Sequence, residues 1–132
     1  MNELLIGLWI FSGLIFQERD YPPPNPHFHL EYAFEETGRN RLKYWRDNED
    51  GFCEREADYE WDGRLLTQKV PAVNPGNGRL CASDPDMILG TESRTKLEIK
   101  DGKLHLFLRL GEDMIVYVWE KAATKSPMGR RF

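Results

Sequence analysis

Gly7-Leu8-Trp9-Ile10-Phe11-Ser12-Gly13-Leu14-Ile15-Phe16 is an apolar run that holds no charged residue. It is shorter than the roughly 20 residues that a membrane-spanning helix needs. Asn2 and Glu3 precede it where an export signal would carry positive charge, and no small-residue cleavage site follows. The run therefore reads as a β-strand covered on both faces. Trp9, Phe11 and Ile15 fall on one side, and Leu8, Ile10, Leu14 and Phe16 on the other. Its place near the chain start fits a mature domain from which an export signal has been removed.

Working outward, five turn signals divide the chain: Thr37-Gly38, Glu49-Asp50-Gly51, Asp62-Gly63, Asp101-Gly102 and Gly111-Glu112-Asp113. Alternating segments separated by Asp-Gly and its relatives, with little helical periodicity, predict an all-β meander. If the last segment, ending Val116-Tyr117-Val118-Trp119, pairs with the first, the sheet closes and leaves no free edge. The expected fold is an antiparallel up-and-down β-barrel of about eight to ten strands. The 132 residues, 40% of them hydrophobic and 30% charged, suit a single domain over 1–121. A basic tail over 122–132 follows, read as a solvated end. With a net charge of −4 and a tail from Lys121 onward that holds four bases and no acid, the body is acidic, which argues against a nucleic-acid partner.

Opposite charges facing each other across strands test the register. A three-residue loop at Glu36–Gly38 sets Glu35 against Arg39, Glu31 against Lys43 and Tyr32 against Leu42. A four-residue turn at Asn48–Gly51 sets Lys43 against Glu56, Arg41 against Asp58 and Tyr44 against Arg55. A two-residue Asp62-Gly63 turn sets Glu56 against Lys69 and Tyr59 against Leu66. Asp101-Gly102 pairs Ile99 with Leu104 and Leu97 with Leu106. A three-residue turn at Gly111–Asp113 sets Leu106 against Val118, which leaves Phe107, Tyr117 and Trp119 on the outside. That outer aromatic patch needs a cover, by an intramolecular segment or by a second copy in a homodimer.

Tyr21-Pro22-Pro23-Pro24-Asn25-Pro26 cannot join a ladder and reads as a stiff connector across a barrel end. Pro71 to Pro85 is the second long irregular stretch, of the kind that carries function. Cys53 and Cys81 are the only cysteines. They are either two buried thiols or a bridge tying that loop to the wall. A bridge implies an oxidising compartment, periplasmic or secreted.

Gly7-Leu8-Trp9 on the first strand, the length of the meander and its closing aromatic strand together resemble the lipocalin-like members of the calycin superfamily, in a small bacterial form. The resemblance implies that Trp9, behind Gly7, plugs one barrel end and packs against a basic side chain near the last strand, here Lys121. It departs from the family in showing no C-terminal helix for the barrel wall and no clear aspartate signatures on later strands.

Arg46 and Arg55 fall on the inner face, near Tyr32, Tyr44 and Tyr59, while the acids of those strands point outward. An inward guanidinium without an inner carboxylate is costly unless an anion or water meets it. The expected function is non-catalytic binding of a small, partly apolar ligand in the barrel interior, an anionic lipid or fatty acid among them. The alternative is an exported interaction protein, an enzyme inhibitor or envelope scaffold with a filled barrel acting through loops or the outer patch. An enzyme in the barrel mouth is the third reading. His27 and His29 with Glu31, and Asp84 with Asp86, are the spacings closest to metal or acid/base chemistry. They read as surface polarity and loop caps, so no metal, cofactor or catalytic residue is assigned, and no transmembrane segment.

Overall fold

A computed structural model describes residues 4–122. The strands are β1 (Gly7–Phe16), β2 (Arg19–Tyr21), β3 (Phe28–Phe34), β4 (Arg39–Arg46), β5 (Phe52–Trp61), β6 (Leu65–Val73), β7 (Glu92–Lys100), β8 (Lys103–Leu110) and β9 (Asp113–Lys121). Two 3-10 turns, Arg79–Ser83 and Pro85–Met87, lie between β6 and β7. Neighbouring strands pair antiparallel in the order β2-β1-β3-β4-β5-β6-β7-β8-β9, and β1 also pairs β9. Eight strands thus close a barrel, with β2 added on the edge of β1 beyond the reach of β3. The all-β antiparallel barrel is as expected, and among the described residues no helix is long and apolar enough to cross a membrane. Of the tail expected over 122–132, Ala122 still donates its N–H to Leu8 O at 2.8 Å, and the rest lies outside the described residues.

Two hairpins have the expected register. Phe28 faces Arg46 and Tyr32 faces Leu42 across β3 and β4, and Leu97 faces Leu106 across β7 and β8. Two others differ by a pair. Across β4 and β5, Lys43 faces Glu54, Arg41 faces Glu56 and Arg39 faces Asp58. With Arg39 counted, each register makes three opposite-charge pairs, the expected one setting Arg39 against Glu60, so charge pairing alone does not choose between them. Across β5 and β6, Asp58 faces Lys69 and Tyr59 faces Gln68. Asp62 Oδ1 accepts from the N–H of Arg64 at 2.9 Å and of Leu65 at 2.7 Å, holding a wider turn than Asp-Gly alone. A shift of two leaves every side chain on its own face. In β5–β6 it holds as far as Asp58, where a bulge then sets Glu56 against Ala72 and Arg55 against Val73, and Arg55, Ala57 and Tyr59 stay on the inner face.

The turn between β8 and β9 is a correction of another kind. Leu110 pairs Asp113, leaving only Gly111 and Glu112 in the loop, with Gly111 at φ 64° in the first central position that two-residue turns with a left-handed start favour. A slip of one residue flips every side chain. Trp119 and Tyr117 accordingly face inward, opposite Leu104 and Leu106, and Val116 and Val118 face out. The expected outer patch of Phe107, Tyr117 and Trp119 is therefore not formed. Trp119 is 1% exposed, Tyr117 packs against the core, and Phe107 stays outside with Lys96 Nζ 4.5 Å above its ring.

A bulge at Ser12 changes parity in β1 as well. Phe11 faces Trp119 but Leu14 faces Tyr117, so Trp9, Phe11, Leu14 and Phe16 share the inner face and Ile15 does not. Leu8 and Ile10, at 36% and 37% exposure, lie outside, and the strand is not covered on both faces. Gln17 and Glu18, with φ of 51° and 67°, turn β1 into β2 without the glycine or asparagine that would have announced the hairpin.

Around Trp9 the interior is apolar and closely covered. Leu5, Leu66, Leu97 and Leu104 are fully buried, each contributing about 1.5–3 kcal/mol. Trp9 Nε1–H donates to Leu5 O at 2.9 Å and Trp61 Nε1–H to Leu97 O at 3.0 Å, sealing this end. Lys121 Nζ stands 5.1 Å over the Trp9 ring. Gly7 has φ +138°, and a Cβ there would lie 2.6 Å from Lys121 Cε. Gly7→Ala is expected to cost about 1–3 kcal/mol in urea unfolding, from the backbone conformation and the displaced lysine stem. Gly51→Ala, with nothing within 4 Å of its Cβ, is expected to change stability by less than about 0.5 kcal/mol.

Candidate functional site

The barrel has a sealed end and an open one. Toward the open end the inner face is formed by Leu14 and Phe16 of β1, Phe28 and Leu30 of β3, Tyr44 of β4, and Leu108 and Ile115 of β8 and β9. All of them are only half-buried although the register turns them inward. Inward apolar side chains that keep solvent contact line a mouth. The connector Pro22–Pro26 and the segment 74–91 both join strands at this end.

Between mouth and plug lies a polar layer. Arg55 is 2% exposed; its Nη1 donates to Asn40 Oδ1 at 2.6 Å and its Nη2 to Tyr32 OH at 3.3 Å and Gln68 Oε1 at 3.4 Å. Gln68 Oε1 also accepts from Tyr32 OH and from Asn40 Nδ2, each at 2.7 Å. Every partner is neutral. The guanidinium has no hydrogen-bonded carboxylate among the described residues, and its Nε–H, buried, has no partner. A buried charge so placed is costly, and an unpaired buried donor alone costs about 1–3 kcal/mol. Trp119 Nε1–H is a second inward, buried donor without a partner.

The expected site residues divide accordingly. Arg55 and Tyr32 meet in the polar layer. Arg46 is exposed at the rim, its Cζ 5.2 Å over the Phe28 ring. Tyr44 stands at the mouth and donates its hydroxyl hydrogen to Asp84 Oδ2. Burial, then this bond to a carboxylate, pushes the Tyr44 pKa up. Tyr59 lies at the sealed end, donating to Glu35 O at 2.8 Å, and is remote from the mouth. Asn40 and Gln68 escaped the sequence reading. Alternation alone could have found them, two residues before Leu42 and two after Leu66.

Cys53 and Cys81 form a disulfide across 28 residues, fastening the segment 74–91 to β5. Next to it, Asp84 Oδ1 caps the second 3-10 turn by accepting from Asp86 N at 2.9 Å, and Met87 enters the core at 4% exposure. Asp86 sits on the rim with one flank in solvent. Desolvation raises its pKa, the Asp84 charge adds to this, and Arg55 opposes it. His27 and His29 both reach Asp47, at 3.4 and 2.8 Å, and His29, then His27, hold the Asp47 carboxyl below its usual range. Outside the barrel, Glu35, Arg41, Glu54, Glu56 and Asn74 border an open groove of about 620 Å³. Arg55 and Val73 also line it, so this groove reaches the wall that carries the polar layer.

Among solved structures the chain is similar to a lipocalin-like protein from Bacteroides uniformis, at 14% identity and a TM-score of 0.56 over 89% of this chain and 98% of that one. It is also similar to a variant of the fluorescent protein UnaG, at 13% identity and a TM-score of 0.49 over 93% of this chain and 99% of that one. No family model and no curated protein matches it. The first likeness, with the closed barrel, establishes a lipocalin-like fold.

Replacing both Cys53 and Cys81 with serine is expected to lower stability by about 3–4 kcal/mol in denaturant unfolding, the loop-entropy value for a loop of this length. An acid whose folded pKa is raised favours the folded state while protonated and opposes it once ionised, so its contribution is lost as pH rises through that pKa. Asp86→Asn is therefore expected to raise Tm at neutral pH, and the gain should fade as pH falls through the raised folded pKa and be gone below about 3.9, the ordinary aspartate value.

Proposed function

We propose that this barrel binds, without catalysis, a small, partly apolar, anionic ligand such as a fatty acid in its lumen. Arg55 meets the ligand's charge, and Arg46 at the rim guides it in. The observation that carries this reading is the Arg55 guanidinium, buried among neutral partners with its Nε–H unused. A carboxylate entering from the mouth supplies the charge that the inner face lacks, in a charge-assisted bond of the stronger kind. The half-buried apolar ring above Arg55 suits the ligand's hydrocarbon part. The likeness to a lipocalin-like protein supports the barrel as host, and the Cys53–Cys81 bridge supports a periplasmic or secreted setting. The alternative of an interaction protein rested on loops or the outer aromatic patch; with Trp119 and Tyr117 turned inward it loses the patch and keeps only the loop segment, where Leu80 and Leu89 are exposed.

Arg55→Leu, checked for folding by circular dichroism, tests the reading. Calorimetric titration is expected to show dodecanoate affinity falling at least about ten-fold while dodecanol affinity holds, since only the acid needs the guanidinium. Equal losses for acid and alcohol, or no binding of dodecanoate by the unaltered protein, would overturn it.

A further inference from the structure

Arg55 is not alone in offering an unused donor to the interior. Trp119 on β9 is 1% exposed, and its Nε1–H has no hydrogen-bond partner among the described residues. The other two indoles with recorded bonds, Trp9 and Trp61, each donate to a main-chain carbonyl at 2.9 and 3.0 Å. Trp119 differs from them in chemistry while matching Trp9 in burial. Buried indoles ordinarily find an acceptor.

Tyr32 connects the two unused donors. Its ring centroid is 5.4 Å from that of Trp119, and the Arg55 Cζ lies 5.6 Å from the same ring. One small molecule seated beside Tyr32 can therefore reach both. Phe11 stands directly across from Trp119 on β1, 5.6 Å away centroid to centroid, and Tyr117, two residues toward the mouth on β9, is 5.1 Å from Phe11; both are half-buried. An apolar layer thus stands between the indole and the mouth. The indole N–H is uncharged and its surroundings are aromatic, so it suits a neutral oxygen. A second anion there would be left desolvated without a counter-charge.

We infer that Trp119 Nε1–H is a second polar anchor of the lumen, which selects amphiphiles bearing two oxygen acceptors: an anionic one for Arg55 and a neutral hydroxyl or ketone oxygen for the indole. The inference rests on the lumen reading above and narrows it from simple fatty acids to oxygenated ones. It also explains why a bulky core position carries tryptophan at the expense of an unpaired donor. Phenylalanine would fill most of the same space without one.

The test compares dodecanoate with a positional series of oxododecanoates, on the unaltered protein and on Trp119→Phe. At least one oxo isomer is expected to bind the unaltered protein about ten-fold tighter than dodecanoate, the factor that one ordinary hydrogen bond supplies. In Trp119→Phe that advantage should vanish, while the ligand-free Tm stays the same or rises because the unpaired donor is gone. In the unaltered protein, the indole Nε1–H resonance of Trp119 should move downfield with the preferred oxo acid and not with dodecanoate, a readout that needs no variant to fold. If plain and oxo acids bind alike, if the advantage survives Trp119→Phe, or if the variant only loses stability, the second anchor is wrong although Arg55-dependent binding of dodecanoate stands. If the unaltered protein takes up no acid of either kind, the lumen reading falls with it.

Discussion

The seam between β1 and β9 is the constraint on which the barrel depends. At its sealed end Trp9 fills the bore, and the Lys121 stem crosses directly above Gly7 to bring its amine over the indole. A side chain at position 7 would occupy the path of that stem, and the residue's φ of +138° lies where only glycine is at ease. Farther along the same seam the Ser12 bulge turns Leu14 and Phe16 inward. One strand pair therefore both closes the plug and supplies the apolar lining of the mouth.

Between those ends the interior changes character in layers. The leucines and tryptophans near the plug are closely covered, the Arg55 layer is polar but contains no acid in contact with the guanidinium, and the mouth is apolar and half-wetted. Asp86, which feels the Arg55 charge, and Asp84 lie on a segment fastened by the disulfide and by the bond from Tyr44. Fixing these acids at the rim keeps them from collapsing onto the guanidinium. The positive charge remains available to a guest at the cost of some folding stability, the usual direction of such an exchange.

Much of this was legible from local rules. Asp101-Gly102 and Gly38 sit in loops whose lengths fix register, and both hairpins pair as those lengths predict. Charge matching placed Arg55 inward because the shift of two residues in β4–β5 preserves parity. Parity failed where a single residue decided it. Gly111-Glu112 as a two-residue turn sends Trp119 into the core, and the Ser12 bulge reverses the second half of β1. Both segments are apolar on both faces, so hydrophobicity could not say which face was which. The β2 hairpin was hidden for a related reason, its turn residues Gln17 and Glu18 carrying no turn signature.

From the sequence by itself came the all-β class, the order of the hairpins that carry turn signals and the inward Arg55, because loop lengths, alternation and charge pairing are local and act before the sheet closes, while the Gly7-Leu8-Trp9 plug followed from the family resemblance. Tertiary structure alone decided which side of β9 is interior, which donors are left unpaired, and how the disulfide-held segment stands over the mouth. Those depend on the bulge and on barrel closure, which bring Tyr32, Arg55 and Trp119 from three separate strands to one place.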